Sequence, residues 1–456
     1  MKVLKFGGTS VGSVESLKNV KQIVEAIPGH VIVVVSALGG ITDALITLAN
    51  STMKAGYDLK PELAKIASRH NFIIENVVEE EFVDKVKEKI ATLINSLSKN
   101  LDLIYRKHEI SDTDLDNIVS YGERMSSVIV AAMLKNGRLY YSPDFIKTEK
   151  WLGKNIANRK LTDKLIKQTF SSINENEKSV VPGFISTDTQ TGELTNLGRG
   201  GSDFTGALIA ASLNAEVLEI WTDVDGFMTA DPRIVKEAEV IDHLTFSESM
   251  ELCSFGAKVI YPPTIFPVFH KNIPIKILNT FNPSAKGTLI TDHSLPEDRE
   301  LKGVTSLNGI SLITLGKVAN TIFDDVAKRA LNILSMQSIR LIPMNSQDAQ
   351  NIFSFAVSSS DSNNTLELLN NEFKEEISQH LIDKAILQDN LTALAIVGKE
   401  LNNKIRLASR IRHSLLREGI KVEATSTNNS KTTLIYIIEK EKSSKALLLI
   451  HSLLFS

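Results

Sequence analysis

The sequence predicts an α/β protein, a mostly parallel sheet flanked by helices, followed by two smaller α+β units. Two observations carry the first part. Val3 to Phe6 reads as a buried strand that turns at Gly7-Gly8 into a helical pattern from Ser13, and Val31 to Val35 does the same through Gly39-Gly40. Two strand, glycine turn, helix units within about fifty residues fit parallel strands joined by helical crossovers. The third observation concerns the chain beyond Leu295, where an order of strand, helix, strand, strand, helix occurs twice at a period of about eighty residues.

In the first helix Leu17, Val20, Ile23 and Val24 fall at helical spacing, and between Thr42 and Met53 the residues Ala44, Leu45, Leu48 and Ala49 share one face. From Pro61 to Lys107 the chain reads as helical, with Phe72, Ile73, Val77, Phe82, Val86, Ile90 and Leu93 at apolar spacing and the charges on a solvated face. A further helix from Asp112 to Lys135 carries Tyr121-Gly122-Glu123-Arg124 in its middle. A mid-helix glycine costs about 1 kcal/mol relative to alanine, so close packing or a nearby ligand is expected at Gly122. Strands follow at Arg138 to Tyr141, Val180 to Ile185 and Glu216 to Trp221, and Gly198-Arg199-Gly200-Gly201-Ser202-Asp203 opens a helix through Ala211. After the stretch Pro283 to Gly287 the glycine turns cease, which places a domain boundary near Leu295. Beyond it the pattern predicts strand Ile310 to Leu315, helix Ile322 to Leu334, strands Ile339 to Met344 and Asn351 to Ser358, and helix Leu366 to Phe373. It then predicts strand Thr392 to Val397, helix Lys404 to Glu418, strands Val422 to Ser426 and Thr433 to Glu439, and helix Ser444 to Leu454. Each half has the size of a small ferredoxin-like unit.

Bulk properties bound the function. At 456 residues two or three domains are expected. Lys and Arg total 51 against 54 Asp and Glu, a formal charge of -3 with no long run of one sign, so nucleic acid and membrane surfaces have no compositional support as partners. Cys253 is the single cysteine, which excludes disulfides within the chain, suits a reducing cytoplasm and leaves no Cys/His spacing for a structural metal. The start of the chain lacks the pattern of a secretory signal, and the apolar run Val31 to Val35 is far shorter than the ~20 residues of a membrane span. A soluble protein is expected.

Glycine-rich helix starts supply backbone N–H groups for phosphate oxygens, and a phosphoryl-transfer site also needs cations. Such turns stand at Gly7-Gly8, at Gly39-Gly40 and at Gly198 to Gly201. None matches G-x-x-x-x-G-K-[ST] or G-x-G-x-x-G, and any one alone is most simply a tight turn. Their company raises their weight. Lys5 sits at the end of a buried strand, where its alternative is an edge lysine reaching for solvent. Arg199 lies inside the third turn, with Asp203 at the following helix start, where its alternative is an N-cap. Glu123 beside Gly122 would otherwise be a solvent-facing helix residue.

With those residues in view, the sequence resembles the aspartate kinases within the amino-acid kinase fold. Lys5-Phe6-Gly7-Gly8-Thr9-Ser10-Val11 resembles the family's opening motif, Ser36 to Asp43 its second loop, Tyr121 to Ser126 its substrate helix and Leu197 to Asp203 its glycine-arginine loop. Trp221-Thr222-Asp223-Val224-Asp225-Gly226, Ala230-Asp231-Pro232-Arg233 and Phe255-Gly256-Ala257-Lys258-Val259 follow in the family's order. The resemblance is close from Lys2 to Ile290 and holds only in outline beyond. It implies transfer of the γ-phosphoryl group of ATP to L-aspartate, with Mg²⁺ on the nucleotide phosphates. Lys5, Gly7, Gly8 and Thr9 would meet the phosphates, and Asp203 would orient Lys5. Thr42, Glu123, Arg199, Gly200, Gly201 and Ser202 would bind aspartate, Arg199 at its α-carboxylate and Glu123 at its α-ammonium. Thr222, Asp223, Met228, Arg233, Lys258 and Val259 would surround the nucleotide, although the family often has tyrosine where this chain has Met228. No residue is assigned as a metal ligand, and no histidine has a role.

The resemblance divides the chain into a catalytic domain over 1–294 and two ACT units, ferredoxin-like ligand-sensing modules, over 295–385 and 386–456, the last helix of which is a candidate to return to the first unit. It implies an amino-acid effector, lysine or threonine, and a homodimer or higher homo-oligomer. At the first unit's ligand-binding turn the chain has Asn320-Thr321-Ile322-Phe323 in place of the family's glycine-containing helix start, and Asn345 to Asp348 offers an alternative polar loop. Ending at Ser456, the chain reads as a kinase without a fused homoserine dehydrogenase. Competing expectations are a kinase acting on glutamate, N-acetylglutamate or a nucleotide, and a non-catalytic amino-acid sensor.

Overall fold

The computed structural model describes residues 1–54, 56, 58–316, 322–344, 352–427 and 431–455. The chain divides into two compact units, one of residues 1–227 and 259–294, the other of residues 228–258 and 295–456. One of the breaks falls at Leu295. The segment 228–258 does not follow it, since its fold is completed by residues far along the chain: Thr229 N–H and C=O belong to the second unit's hydrogen bonding, with Val304 N donating to Thr229 O at 2.8 Å.

The first unit opens with β1 (Lys2–Phe6), α1 (Val14–Glu25), β2 (Val31–Val35) and α2 (Ile41–Thr52). The expected helical stretch follows as two helices, α3 (Lys60–Val77) and α4 (Glu80–Lys107), because Val78 takes an extended backbone, φ -94 and ψ 143. On α4 the buried residues Val86, Ile90, Ile94, Leu97, Leu101 and Ile104 recur every three or four positions, the stripe of a helix that buries one face. Helix α5 (Asp112–Met133) is capped by Ser111, whose side chain accepts from Asp114 N while the Asp114 side chain accepts from Ser111 N.

Then come β3 (Gly137–Leu139), β4 (Lys147–Trp151), β5 (Lys154–Ala157), α6 (Arg159–Thr169), β6 (Lys178–Pro182), β7 (Ile185–Asp188), β8 (Leu194–Asn196), α7 (Gly201–Ser212) and β9 (Val217–Thr222). The expected strand Val180 to Ile185 is thus two strands, broken at Gly183-Phe184, where Phe184 has φ 70. After β10 (His243–Thr245) and α8 (Phe246–Ser254) of the second unit, the first closes with α9 (Phe266–Phe269), β11 (Ile275–Asn279) and β12 (Thr288–Thr291). Its main sheet has the order β12-β11-β9-β1-β2-β6-β3, parallel except for the β11–β12 pair. All five residues of β2 are buried, as an unbroken β-branched run between two parallel neighbours requires. A smaller sheet, β5-β4-β7-β8, stands beside it.

The second unit continues with β13 (Leu301–Leu315), α10 (Phe323–Met336), β14 (Leu341–Met344), β15 (Phe353–Ser358), α11 (Ser362–Glu372), α12 (Lys374–Ser378), β16 (Ile386–Gly398), α13 (Ile405–Arg417), β17 (Val422–Thr427), β18 (Thr433–Glu439) and α14 (Ser443–Phe455). The two repeats share one antiparallel sheet, β14-β15-β13-β16-β18-β17, joined at its centre by β13 and β16. One core gathers Val326, Ala330 and Leu334 of α10 with Leu369 of α11, and another gathers Ile411 and Leu415 of α13 with Ala446, Leu447 and Ile450 of α14. The last helix therefore shares a core with α13 and with Val304 of β13. Strand β13 is longer than the expected Ile310 to Leu315 because Gly309, at φ 75, lets it bend without ending. Asn320, Thr321 and the Asn345 to Asp348 loop lie outside the described residues.

Candidate active site

Ligands in open α/β sheets bind beyond the carboxyl ends of the strands, where the order reverses. Here β1 lies between β9 and β2, and the loops leaving these strands are sewn together by backbone hydrogen bonds. Gly7 N donates to Trp221 O at 3.0 Å, Ser36 N to Phe6 O at 3.2 Å, Gly39 N to Gly8 O at 2.9 Å and Gly183 N to Val35 O at 2.8 Å. A side chain at Gly8 would stand 3.1 Å from Ala37 O, and one at Gly39 would stand 3.1 Å from Gly8 O. The first two glycine turns are therefore glycine because two backbones meet there. Gly122 has the close-packing reason expected of it, since a Cβ would lie 2.6 Å from that of Ala37. Helix α5 thus rests directly on the second loop, and Ser126 Oγ donates to Ser36 O at 2.7 Å.

The result is a cavity of about 400 Å³ walled by Lys5, Gly8, Thr42, Glu123, Arg199, Gly200, Gly201, Ser202 and Asp203, all of them sequence-expected, together with Ser36 to Gly40, Asp43, Phe184 and Gly198. Lys5 Nζ lies 2.6 Å from Asp203 Oδ1, and both side chains are nearly buried. Helices α2 and α7 begin at this wall with Gly40 and Gly200 as N-caps, so no side chain covers their first N–H groups. Those N–H groups and the positive helix ends suit anionic groups.

Glu123 is 4% exposed, and its Oε2 has no hydrogen-bond partner. Burial raises its pKa to about 7, opposed by the Ala37 amide and by the charge of Lys5. A carboxylate held this way lacks a cationic partner that the protein does not supply. Arg199 is exposed, with its guanidinium 5.7 Å from the centre of the Tyr261 ring. The cavity so joins one carboxyl group with an unpartnered oxygen, one guanidinium and a lysine held by an aspartate.

Other expected residues lie outside this wall. Gly7 is bonded to Trp221 O, and Thr9 is exposed in the same loop. Thr222 ends β9 and Asp223 follows it, the Thr222 hydroxyl donating to Asp223 Oδ1 at 3.2 Å. Val259 is half-buried in the first unit. Met228, Arg233 and Lys258 belong to the second unit, where Met228 bridges to Val240 and Arg233 is paired with Asp231 through Nη2 at 2.7 Å. Phe184 was not foreseen as a wall residue, although the Pro182-Gly183 pair before it is a turn signal.

Residues 1–279 match the amino acid kinase family, and residues 394–454 match the ACT domain. A bifunctional aspartokinase/homoserine dehydrogenase of Buchnera aphidicola is 32% identical over all of this chain, which covers 56% of that protein. The chain spans about half the length of several such bifunctional relatives, as in Haemophilus influenzae, at 28% identity and 57% of the relative. Aspartokinase 1, chloroplastic, of Arabidopsis thaliana is 27% identical, covering 99% of this chain and 80% of that one. Among solved structures, E. coli aspartokinase III in complex with aspartate and ADP superposes with a TM-score of 0.82 at 25% identity, with full coverage of both chains. Clostridium acetobutylicum aspartate kinase gives the same score at 27% identity, again with full coverage of both.

Proposed function

The chain belongs to the amino acid kinase family, and from that premise we propose that it is an aspartate kinase, converting ATP and L-aspartate to ADP and 4-phospho-L-aspartate, the first step toward lysine, threonine and methionine. The observation that carries the reading is Glu123, a buried carboxylate with an unpartnered oxygen in the same wall as Arg199 and the Lys5–Asp203 pair. A free amino acid answers both ends of that arrangement: its ammonium pairs with Glu123 and its α-carboxylate with the guanidinium fork of Arg199. An N-acylated substrate would leave Glu123 buried and unpaired. The complex of E. coli aspartokinase III with aspartate and ADP supports the same pair of ligands for this chain.

The β-carboxylate of aspartate is ionised at neutral pH, so no base is needed to create the nucleophile. Its oxygen attacks the γ-phosphorus, the bond from phosphorus to the β,γ-bridging oxygen breaks, and ADP departs with the electron pair. What the residues must supply is alignment of two anions and neutralisation of the charge between them. Lys5, fixed by Asp203, supplies a cation, and the uncapped starts of α2 and α7 supply N–H groups. Among the described residues no group of three or more His, Cys, Asp or Glu is gathered for a metal ion. The cavity carboxylates Asp43 and Asp203 are hard oxygen donors that fit a Mg²⁺ arriving on the nucleotide, which keeps water and phosphate ligands. Held there, Mg²⁺ would neutralise phosphate charge.

The catalytic domain in this reading covers 1–294, with Thr222, Asp223, Met228, Arg233, Lys258 and Val259 serving the nucleotide. The two ACT units, 295–385 and 386–456, sense lysine or threonine and assemble the chain into a homodimer or higher homo-oligomer. The ACT match over 394–454 supports the second of them. A cytoplasmic location accords with the single cysteine, and no described helix is long and apolar enough to cross a membrane. The test is purified protein with ATP, Mg²⁺ and hydroxylamine, which traps an acyl phosphate as a hydroxamate. Product with L-aspartate and none with glutamate or N-acetylglutamate is expected. Product with either of those instead reassigns the substrate, and none with any leaves a non-catalytic sensor.

A further inference from the structure

The loop that carries Arg199 is held from behind. Asn196, the last residue of β8, accepts the Gly198 N–H through Oδ1 at 2.8 Å and donates from Nδ2 to Asp116 Oδ1. Asn155 completes the cluster, its Nδ2 donating to Asp116 Oδ2 at 3.1 Å and to Asn196 O at 3.4 Å. Asp116 is partly buried, and a carboxylate there is the acceptor for two amide groups at once. Gly198 and Gly200 both have φ 71, so the backbone on either side of Arg199 is left-handed and needs to be fixed by its neighbours. The Arg199 guanidinium has its cation–π contact with Tyr261 and no ion pair among the described residues.

Asp116 lies on α5, as does Glu123, and seven residues are two helical turns, so both project from one side of the helix. One rigid element therefore carries the carboxylate that meets the ammonium and the carboxylate that holds the guanidinium's loop. We infer that Asp116 and Asn196 are positioning residues, which set the separation between Glu123 and Arg199 and thereby the affinity for an α-amino acid substrate. This rests on the proposed aspartate kinase reading for its substrate and on the geometry alone for its hydrogen-bond chain.

Polarity exchange tests it. Asp116→Asn leaves one acceptor oxygen where two amides donate, so in either orientation of the new amide one bond of the cluster is lost, and Asn196→Asp turns a carboxylate toward the carboxylate of Asp116. The double variant D116N/N196D restores every bond, because Asn at 116 donates to Asp at 196 and still accepts from Asn155, and Asp at 196 still accepts from Gly198. Two readouts are made on full-length protein: steady-state kinetics in aspartate and in ATP, and amide hydrogen exchange of the 196–202 segment, which needs no substrate. Each single variant is expected to raise the aspartate KM ~10-fold or more, with the ATP KM and kcat within about 3-fold, and to speed exchange of the loop; the double variant is expected to recover both. Loop exchange unchanged in the single variants overturns the inference, as does an aspartate KM unmoved by both. A double variant that recovers melting temperature while the aspartate KM stays high overturns it too, leaving a structural role. Absence of aspartate turnover in the wild type sinks the aspartate kinase reading instead, and the hydrogen exchange then decides the loop by itself.

Discussion

Glu123 is where stability and function oppose each other. Its raised pKa, about 7 against an ordinary 4.5, means that the folded protein keeps a proton which the unfolded chain has released. The resulting stabilisation is complete below pH 4.5 and is lost as pH rises through about 7. Glu123→Gln removes the titration, so at pH 8 the ligand-free variant is expected to be more stable than wild type by up to about 3 kcal/mol. Its melting temperature checks this, and a lower value at pH 8 contradicts it. Binding should move the other way. An ammonium pairs with the ionised form, so the wild-type aspartate KM should climb as pH falls below 7 toward 5.5, and Gln should flatten that limb while raising KM at pH 8 ~10-fold or more. A wild-type KM level across this range removes Glu123 from the ammonium. The sequence flagged Gly122, a glycine inside an otherwise good helix whose reason is contact with Ala37, while Glu123 itself read as solvent-facing and took its role from the family resemblance. It could not expose the network behind Arg199, because Asp116, Asn155 and Asn196 come from separate elements and no spacing relates them.

At the scale of elements, what was legible had either a strong period or a strong breaker. Strands β1 and β2, helix α4 and strand β18 were visible from continuous β-branched runs or three-four apolar spacing. The hairpin of β4 and β5 was not, since Lys147 to Trp151 and Lys154 to Ala157 are largely exposed and show no apolar alternation. Nor was the partnership of 228–258, which is closed by contacts remote in sequence, such as the hydrogen bond between Thr229 Oγ1 and His451 Nε2 at 2.9 Å. Helix α3 carries a testable irregularity on its buried face. His70 is fully buried, with Nδ1 2.7 Å from Ile66 O and Nε2 without a partner. Burial lowers its pKa from 6.5 to about 4. The stability tied to its neutral form is present above pH 6.5 and is lost as pH falls through 4. Replacing His70 with Leu removes the group, so the urea-unfolding difference between wild type and His70→Leu should shift against wild type by up to about 3 kcal/mol between pH 7 and 4. A difference that does not change with pH contradicts a buried neutral imidazole.

Considered whole, the chain has one compact unit that contains the cavity and a second whose two repeats share a sheet. In this reading phosphoryl transfer has no use for the two repeats beyond Leu295, so they sense a ligand, hold an assembly together or do both. Inhibition by an end product requires tighter binding to a less active arrangement, with a coupling of ~1 to 3 kcal/mol. Millimolar lysine or threonine is therefore expected to lower the rate with aspartate and to raise the melting temperature; if lysine, threonine and methionine, singly and in pairs, change neither, the unit is structural. The central claim is more direct: negative charge between aspartate and the nucleotide is neutralised at the Lys5–Asp203 pair. Lys5→Ala, shown folded by its melting curve, decides it through kcat and the aspartate KM measured together. The expected result is a kcat lower by ~100-fold or more with a much smaller change in KM, since the lysine acts where charge moves in the transition state. Turnover within a few fold of wild type would remove Lys5 from the chemistry and with it this reading of the cavity.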